Sequence, residues 1–375
     1  MQQARFLKNH TKRQKFNSFI KRKLSLTFQH NISMFRYLVT LSPLGLLYGS
    51  AGGFLSPENL VGRSQSKFPP DAGTFTGLIL NAARSNGQTI NKQKLTVAGP
   101  FWTIEDKVPA LDFFVPIPWT KIITQSESDE WFFEVQTNTW KLKNDADLKP
   151  KYSWQCLSTW AYNAKQLQEA ALQLETLEVS GDPWTFEPML HPYMQENERC
   201  VQDKDGLFLE QAVRMNDDTR LVYLSTELIA DGWYKFGGEN HLVEVECFTI
   251  DASHTINQLL SQPIGQSFAL ITPAVWGSNR RSLRQPEGMN VKALLTDKPT
   301  TFRFRSGGQA GEIDPDKRKN RPGRLGRGRY AVKAGSVYIL EESRSDTWWD
   351  WGSWFPQEGF SLQRLGCGLA LPITV

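Results

Sequence analysis

The segment that decides the fold runs from residue 35 to residue 87 and joins a strand pattern to a helix pattern through a glycine-rich stretch. Residues 35–41 read FRYLVTL, a run of aromatic and β-branched residues that predicts a β-strand. Residues 73–85 read GTFTGLILNAARS, whose apolar residues follow the i, i+3, i+4, i+7 spacing of one helix face. Asn86-Gly87 ends that helix. Strand, loop and helix in this order predict the first half of a βαβ-type unit.

Further along the chain, strand patterns outnumber helix patterns. Residues 161–177 predict one more helix, because their leucines and alanines form one apolar stripe. Residues 330–332 and 337–340 flank Lys333-Ala334-Gly335-Ser336, a pattern typical of a hairpin. Other strands are predicted at residues 95–102, 111–118, 243–249 and 268–271. We therefore expect an α+β protein of two lobes, divided between residues 205 and 220.

The charge is unevenly distributed. The chain has 375 residues and is 40% hydrophobic, enough for two domains with buried cores. Residues 1–33 hold 8 of the 43 basic residues and no acidic one, which leaves 35 basic against 39 acidic residues in the rest. We predict a basic arm over residues 1–33 and lobes over 34–210 and 211–375. We favour a flexible arm or a true start at Met34, and the alternative is an organelle transit peptide.

The sequence lacks the complete motifs of the common catalytic and metal sites. The four cysteines are far apart, which suits a reducing, cytoplasmic location, and no apolar run has the roughly 20 residues of a membrane span. The five histidines do not pair at ligand spacing, so we expect no metal. Residues 62–64 lack the Lys of a phosphate-binding loop, and Ala269 replaces the second glycine of a nucleophile elbow. We expect no cofactor and no catalytic residue.

Three local clusters are candidate nucleic-acid contacts. Residues 45–62 carry five glycines, followed by Arg63 and Lys67, and unshielded backbone amides beside a helix start can hold a phosphate. Residues 303–333 hold ten basic and three acidic residues, and a smaller group occupies residues 280–284. Guanidinium groups can fork onto phosphates or stack on bases. The alternative for each cluster is an irregular or solvated loop.

Four tryptophans and a phenylalanine lie close together at residues 348–355. Such a cluster can be a stacking platform for bases, a carbohydrate surface, part of a core or a protein interface. We favour the interface.

Several short motifs resemble, in order and spacing, those of subunit three of the Cmr (type III-B) CRISPR effector complex, a family of the RAMP superfamily. The resemblance covers residues 35–375. The motifs are Leu41-Ser42-Pro43-Leu44, Phe68-Pro69-Pro70, Thr74-Phe75-Thr76-Gly77, Val97-Ala98-Gly99-Pro100-Phe101, Phe114-Val115-Pro116-Ile117-Pro118, Gly206-Leu207-Phe208, Phe236-Gly237-Gly238-Glu239, Ile271-Thr272-Pro273-Ala274, residues 331–338 (AVKAGSVY) and Gly366-Cys367-Gly368-Leu369-Ala370. The family's acidic-then-arginine pattern in the first loop is replaced here by apolar residues 44–49, so that Arg63 would have to supply that arginine.

The resemblance implies two ferredoxin-like (RRM-like) lobes with antiparallel sheets, glycine-rich loops and a protruding hairpin. It implies a non-catalytic subunit in antiviral defence that grips the 5′ tag of the guide RNA and docks the large polymerase-like subunit and a backbone subunit. Combining it with the clusters above, we predict that RNA contacts Gly52, Gly53, Arg63, Lys67, Lys235, Gly237, Gly238, Arg280, Arg281, Arg284, Arg318, Arg321, Arg324 and Arg327.

Two other functions remain open from the sequence. A repeat-cleaving ribonuclease of the same superfamily would need a general acid and base, for which the histidines of the body are His191, His241 and His254. A carbohydrate-binding protein would use the tryptophans.

Overall fold

The computed structural model describes residues 33–48, 67–145, 147–173, 176–192, 194–195, 200–201, 206–237, 240–278, 280–303, 305–306, 324–357 and 361–375, with the backbone alone at 208, 305, 306, 324 and 325. The chain divides into two compact units, Met1–Met34 and Phe35–Val375. The basic arm predicted over residues 1–33 lies almost wholly outside the described residues.

The described part of the second unit contains three α-helices and 24 β-strands. The helices are α1 (Ala72–Ser85), α2 (Ala164–Ala171) and α3 (Thr255–Ser261). The first twelve strands are β1 (Tyr37–Pro43), β2 (Leu47–Tyr48), β3 (Val97–Ile104), β4 (Phe114–Pro116), β5 (Lys121–Ile123), β6 (Ser128–Glu134), β7 (Thr139–Leu142), β8 (Trp154–Cys156), β9 (Val179–Ser180), β10 (Trp184–Pro192), β11 (Leu207–Met215) and β12 (Thr219–Ser225). The others are β13 (Gly232–Phe236), β14 (His241–Thr249), β15 (Gly265–Leu270), β16 (Trp276–Gly277), β17 (Ser282–Leu283), β18 (Val291–Leu295), β19 (Thr300–Phe302), β20 (Arg305–Ser306), β21 (Arg324–Leu325), β22 (Arg329–Ala331), β23 (Val337–Arg344) and β24 (Ala370–Pro372).

The largest sheet has eight strands in the order β13-β14-β1-β12-β3-β4-β8-β9, and its neighbouring strands are antiparallel. Helix α1 packs on this sheet through Phe75, whose ring stacks on Tyr223 of β12 at 4.6 Å between centroids. The Tyr223 hydroxyl donates to the Pro70 carbonyl over 2.6 Å, which fixes the chain just before the helix. The predicted first strand and helix are therefore confirmed, and the antiparallel sheets with few helices confirm the α+β class.

A four-stranded sheet, β18-β23-β15-β24, forms a second layer from residues after 250. The predicted hairpin around residues 333–336 is wrong, because β22 pairs with β19 whereas β23 pairs with β15 and β18. The turn between them carries the chain from one sheet to another. Gly335 N donates to the Leu270 carbonyl over 2.6 Å, and Trp119 N donates to the Gly335 carbonyl over 2.8 Å.

Position 210, where we predicted the first lobe to end, lies inside β11. Strands from both sides of it pair in the eight-stranded sheet, since β1 lies between β12 and β14. One hydrophobic core joins residues of both layers, including Val39 and Phe268. The division into two lobes stays a prediction, and any boundary has to respect this shared sheet.

Two local predictions change in the structure. The helix predicted over residues 161–177 spans Ala164–Ala171 only, where Asn163 caps its start, and Leu177 is exposed. The interface predicted for the tryptophan cluster is wrong for Trp348 and Trp351, which are each 1% exposed in the core. Trp351 packs edge-on against Phe268 at 5.1 Å. Among the described residues, no helix has the length and apolarity to cross a membrane.

Candidate nucleic-acid interface

Two short ladders of paired strands flank the basic segment near residue 320, which itself lies outside the described residues. Strand β19 pairs with β22, and β20 pairs with β21, so that the two ladders continue one another. We call residues 300–306 and 324–331 the arginine hairpin. Arg324 lies in β21 and Arg327 follows it, whereas Arg318 and Arg321 lie outside the described residues. The alternative of a solvated loop for the dense part of the cluster therefore stays open.

One arginine of this hairpin is buried and fixes its base. Arg329 is 6% exposed, and its Nη1 donates to the Ser278 carbonyl over 2.8 Å. Ser278 opens the turn between β16 and β17, and its hydroxyl accepts from Arg280 N at 3.2 Å and Arg281 N at 3.3 Å. The hairpin and the turn with the other predicted arginines therefore form one structural piece.

The exposed guanidinium groups of this piece define what we call the arginine surface: Arg280, Arg281, Arg303 and Arg327. Within the described residues, none of the four forms an ion pair with a carboxylate. Arg303 Nε instead donates to the Gly326 carbonyl over 2.8 Å. Some arginines elsewhere are paired with carboxylates, as Arg214 is with Glu187 at 2.5 Å. Exposed guanidinium groups that form no such pair can bind anions.

Arg284 follows β17 and is anchored through its backbone. The buried Tyr338 hydroxyl donates to the Arg284 carbonyl over 2.6 Å and accepts from Trp276 Nε1 at 3.0 Å. Burial raises the pKa of Tyr338, so that its hydroxyl keeps its proton. The Arg284 side chain is exposed next to this fixed backbone.

Lys67 lies beside the arginine hairpin. Its Nζ is 5.3 Å from the centroid of the Phe302 ring, on the strand that pairs with Arg329. The same amine forms an ion pair with Asp71 at 2.5 Å, which neutralises part of its charge. Of the first glycine-rich loop, Lys67 is the predicted contact that the structure describes, whereas Gly52, Gly53 and Arg63 lie outside the described residues.

The predicted contacts Lys235 and Gly237 lie at a different turn. We call this turn, together with the neighbouring aromatic group of Tyr48, His191 and His241, the turn site. Lys235 and Gly237 are exposed at the end of β13, and Gly237 has a φ of 75°. Tyr48 N donates to His241 Nε2 over 3.2 Å, and its ring stacks on His241 at 5.4 Å. His191 approaches the same ring edge-on at 5.5 Å. Gly238 lies outside the described residues.

The arginine surface and the turn site are linked through the sequence. Tyr48 precedes residues 49–66 and belongs to the turn site, whereas Lys67 follows them and lies beside the arginine hairpin. The structure thus separates the predicted contacts into two groups, each at one end of the glycine-rich segment.

The histidines considered for a nuclease do not share one environment. His254 caps α3 by accepting from Ile256 N at 3.3 Å, and its other ring nitrogen lies 3.1 Å from the Leu111 carbonyl. Burial lowers its pKa, which suits a neutral structural residue. His191 and His241 flank Tyr48 instead.

Among the described residues, one group of three side chains has ligand atoms close enough for a metal: Asp112, Cys156 and Glu178. Lys107 already supplies a positive charge there, since its Nζ lies 3.1 Å from Glu178 Oε1. The Asp112 carboxylate accepts from Phe113 N and from the backbone and hydroxyl of Ser158. Burial raises the pKa of the Cys156 thiol, and Lys107 offsets part of the negative charge of this group.

The sequence matches the model of a family described as CRISPR-associated protein (Cas_Cmr3) over residues 53–374. The chain belongs to this family. The predicted resemblance is therefore confirmed, and the protein is a Cmr-type CRISPR subunit of the RAMP superfamily. No curated protein matches the sequence.

Solved structures similar to this Cmr-type subunit come from CRISPR complexes. One is a chain of the Type III-B Cmr-beta complex bound to cognate target RNA and AMPPnP, with 12% identity and a TM-score of 0.42 over 80% of this chain and 86% of that one. Another is a chain of the Csm3-Csm4 subcomplex of the type III-A interference complex, with 12% identity and a TM-score of 0.36 over 90% and 100%. A third is a chain of the Csm1-Csm4 cassette in complex with pppApA, with 11% identity and a TM-score of 0.31 over 82% and 88%.

Sequence reasoning missed two residues of this Cmr-type subunit. Arg303 belongs to the arginine surface but stands outside the dense basic run, and Arg329 looks like part of that run yet is buried. The signal for Arg329 was available in the alternation of β22, where Arg329 and Ala331 are buried on either side of an exposed Tyr330.

Proposed function

We propose that this subunit is a non-catalytic RNA-binding scaffold of a type III-B effector complex. It would hold the 5′ tag of the guide RNA and dock the large polymerase-like subunit and a backbone subunit. The observation that carries the RNA-binding role is the arginine surface, four exposed guanidinium groups that form no ion pair within the described residues. Guanidinium groups fork onto phosphate oxygens. The Ser278 hydroxyl holds the backbone of Arg280 and Arg281, and Arg303 donates to the Gly326 carbonyl, so three of the four are held in place before RNA binds.

The proposed RNA contacts include residues outside the arginine surface. Lys67 and Arg284 lie beside that surface, and Lys235 and Gly237 belong to the turn site. The other predicted contacts complete the proposal: Gly52, Gly53, Arg63, Gly238, Arg318, Arg321 and Arg324.

Equilibrium binding to single-stranded guide RNA at several salt concentrations tests this role. Replacing all four residues of the arginine surface by Gln should weaken binding and lower the slope of log K against log salt by roughly 0.7 per lost phosphate contact. Arg214→Gln is the matched control, because Arg214 is exposed but paired with Glu187. An unchanged slope in the fourfold variant would remove the arginine surface from the RNA site.

The proposal that the subunit is non-catalytic is supported by the contacts of the three histidines that a ribonuclease would need. His254 is a half-buried helix cap, and His191 and His241 are held against Tyr48. Incubation with repeat RNA in the presence of a chelator tests whether the subunit cleaves RNA, and we expect no cleavage. Site-specific cleavage that is lost in both His191→Ala and His241→Ala would instead establish the ribonuclease.

The docking role is supported by the hairpin of β10 and β11, whose two faces differ. One face exposes apolar side chains, with Phe186 at 45%, Leu190 at 57% and Leu207 at 44% exposed. The other face carries the ion pairs Glu187–Arg214 and His191–Glu210. An uncharged apolar face suits a protein partner better than a polyanion. Leu190→Asp should abolish co-purification with the partner subunits while leaving affinity for RNA unchanged, whereas retained co-purification would place docking elsewhere.

A further inference from the structure

Tyr330 is the most exposed aromatic side chain in the described part of the chain. It is 62% exposed, against 54% for Trp233, 45% for Phe186 and 40% for both Trp119 and Tyr162. A single exposed tyrosine is common in soluble proteins and needs no explanation by itself. Tyr330 differs because its strand lies between the segments that carry Arg281 and Arg303.

The backbone of Tyr330 is fixed from three directions. Its two neighbours in β22, Arg329 and Ala331, are buried, so the Tyr330 side chain points outward from the ribbon. It stands opposite Thr301 of β19, which is exposed on the same face. Its backbone N approaches the hydroxyl of Ser282 at 3.4 Å, in the short strand that follows Arg281.

The segments that carry Arg303 and Arg281 therefore lie on opposite sides of β22 and of Tyr330. Arg303 follows Thr301 by two residues and lies on the same face of the ribbon, diagonal to Tyr330. Arg281 precedes Ser282 on the other side. An aromatic face between cationic groups is the arrangement in which proteins hold single-stranded nucleic acids, with a base on the ring and phosphates on the cations.

We propose that Tyr330 stacks on one base of the bound single-stranded RNA, while Arg281 and Arg303 contact the phosphates on either side of that nucleotide. The inference rests on the proposed RNA-binding function and assigns one nucleotide subsite within it. Because every base has a π-face, the subsite selects a single strand with an unstacked base and tolerates any base type. Trp233 is a weaker candidate for the same role, since it pairs across the ladder with Glu244, whose charge repels phosphate.

The test uses the full chain and a short single-stranded guide RNA with 2-aminopurine placed at successive positions. Stacking on Tyr330 should quench the fluorescence at one position. Tyr330→Ala should abolish that quenching and weaken binding about tenfold, within the range measured for base–aromatic stacking. The salt dependence should stay that of the wild type, because no charge is lost. Tyr330→Phe should keep both the affinity and the quenching.

Two further variants separate stacking from a general loss of structure. Tyr162→Ala removes an exposed tyrosine outside the arginine surface and should bind like the wild type. Tyr330→Leu keeps an apolar side chain on the strand but offers no ring, so it should behave like Tyr330→Ala while unfolding at the wild-type urea concentration. Wild-type affinity and quenching in Tyr330→Leu would overturn the subsite, even if the fourfold arginine variant fails to bind. If that arginine variant also binds normally, the proposed function fails at this surface, and the subsite fails with it.

Discussion

Arg329 donates from Nη1 to the carbonyl oxygen of Ser278 over 2.8 Å, and this bond joins the two elements that carry the exposed arginines. The guanidinium is buried, so its hydrogen bond is made where water does not compete. The Ser278 hydroxyl in turn accepts from the backbone of Arg280 and Arg281. The geometry of the arginine surface therefore depends on an arginine that does not itself belong to it.

Arg329→Met should weaken RNA binding without changing its salt dependence. The substitution leaves the Ser278 carbonyl without its charged donor, which costs about 1–3 kcal/mol of unfolding free energy. The turn then holds Arg280 and Arg281 less firmly, and we expect affinity to fall about three- to tenfold, a loss of ~1 kcal/mol. Fluorescence anisotropy at several salt concentrations measures both quantities. A slope lowered as much as in Arg327→Gln would mean that Arg329 contacts a phosphate directly.

The sequence predicted those elements whose signals are local. Helix α1 follows from an apolar stripe and a terminal Asn-Gly, both contained within the segment itself. The hairpin at residues 333–336 failed because strand pairing is decided by distant partners: β23 pairs with β15 and β18, and β22 with β19. A turn signal shows where a chain bends but not which strands flank it in a sheet.

The candidate site shows the same limit. Composition located the basic residues but could not tell the buried Arg329 from the exposed Arg327, since burial depends on the sheet register. The tryptophan cluster was misjudged for a related reason. Trp348 packs on Phe35, more than 300 residues away in the sequence, and no local pattern reveals that contact.

Gly335→Ala should destabilise the protein strongly. Gly335 has a φ of 85°, and a Cβ built there would lie 2.7 Å from the Trp119 ring and 2.9 Å from the Ile117 carbonyl. The left-handed backbone and the overlap act together, so we expect a loss of about 2–4 kcal/mol in urea denaturation. A loss below about 0.5 kcal/mol would show that the turn moves away from Trp119 at little cost.

Gly77→Ala is the matched substitution, and we expect it to raise the free energy of unfolding where Gly335→Ala lowers it. Gly77 lies inside α1, and a Cβ there meets no atom within 4 Å. Alanine should therefore stabilise the protein by about 0.5–1 kcal/mol through helix propensity. The same denaturation measurement checks both variants, and a destabilised Gly77→Ala would show that this helix face does not accommodate the added methyl group.

Trp351→Ala should cost far more stability than Trp354→Ala. Trp351 is 1% exposed, packs on Phe268, and donates from Nε1 to Asp346 over 2.9 Å. Trp351→Ala should lower the free energy of unfolding by about 3–5 kcal/mol. Trp354→Ala should lower it by about 1–2 kcal/mol, because Trp354 is half-buried. Urea denaturation followed by near-UV circular dichroism measures the difference. Equal losses would contradict the assignment of Trp351 to the core.

Lys121 makes stability depend on pH in the alkaline range. Burial lowers its pKa to about 8, although Glu130 favours the charged form, and its Nζ donates to the Trp160 carbonyl over 3.1 Å. Below about pH 8 the folded and unfolded chains both carry the proton, so the full cost of burying the charge is present. Between about pH 8 and about pH 10.4 the folded chain has lost the proton while the unfolded chain keeps it, and the free energy of unfolding rises with pH.

The variant Lys121→Met lacks this rise. Its free energy of unfolding should exceed that of the wild type at about pH 7, and this difference should shrink by about 2 kcal/mol by about pH 10. Urea denaturation of both proteins across this range measures the difference, with Lys165→Met as the control because Lys165 is exposed at the helix surface. A constant difference between Lys121→Met and the wild type would show that Lys121 stays charged in the folded protein throughout.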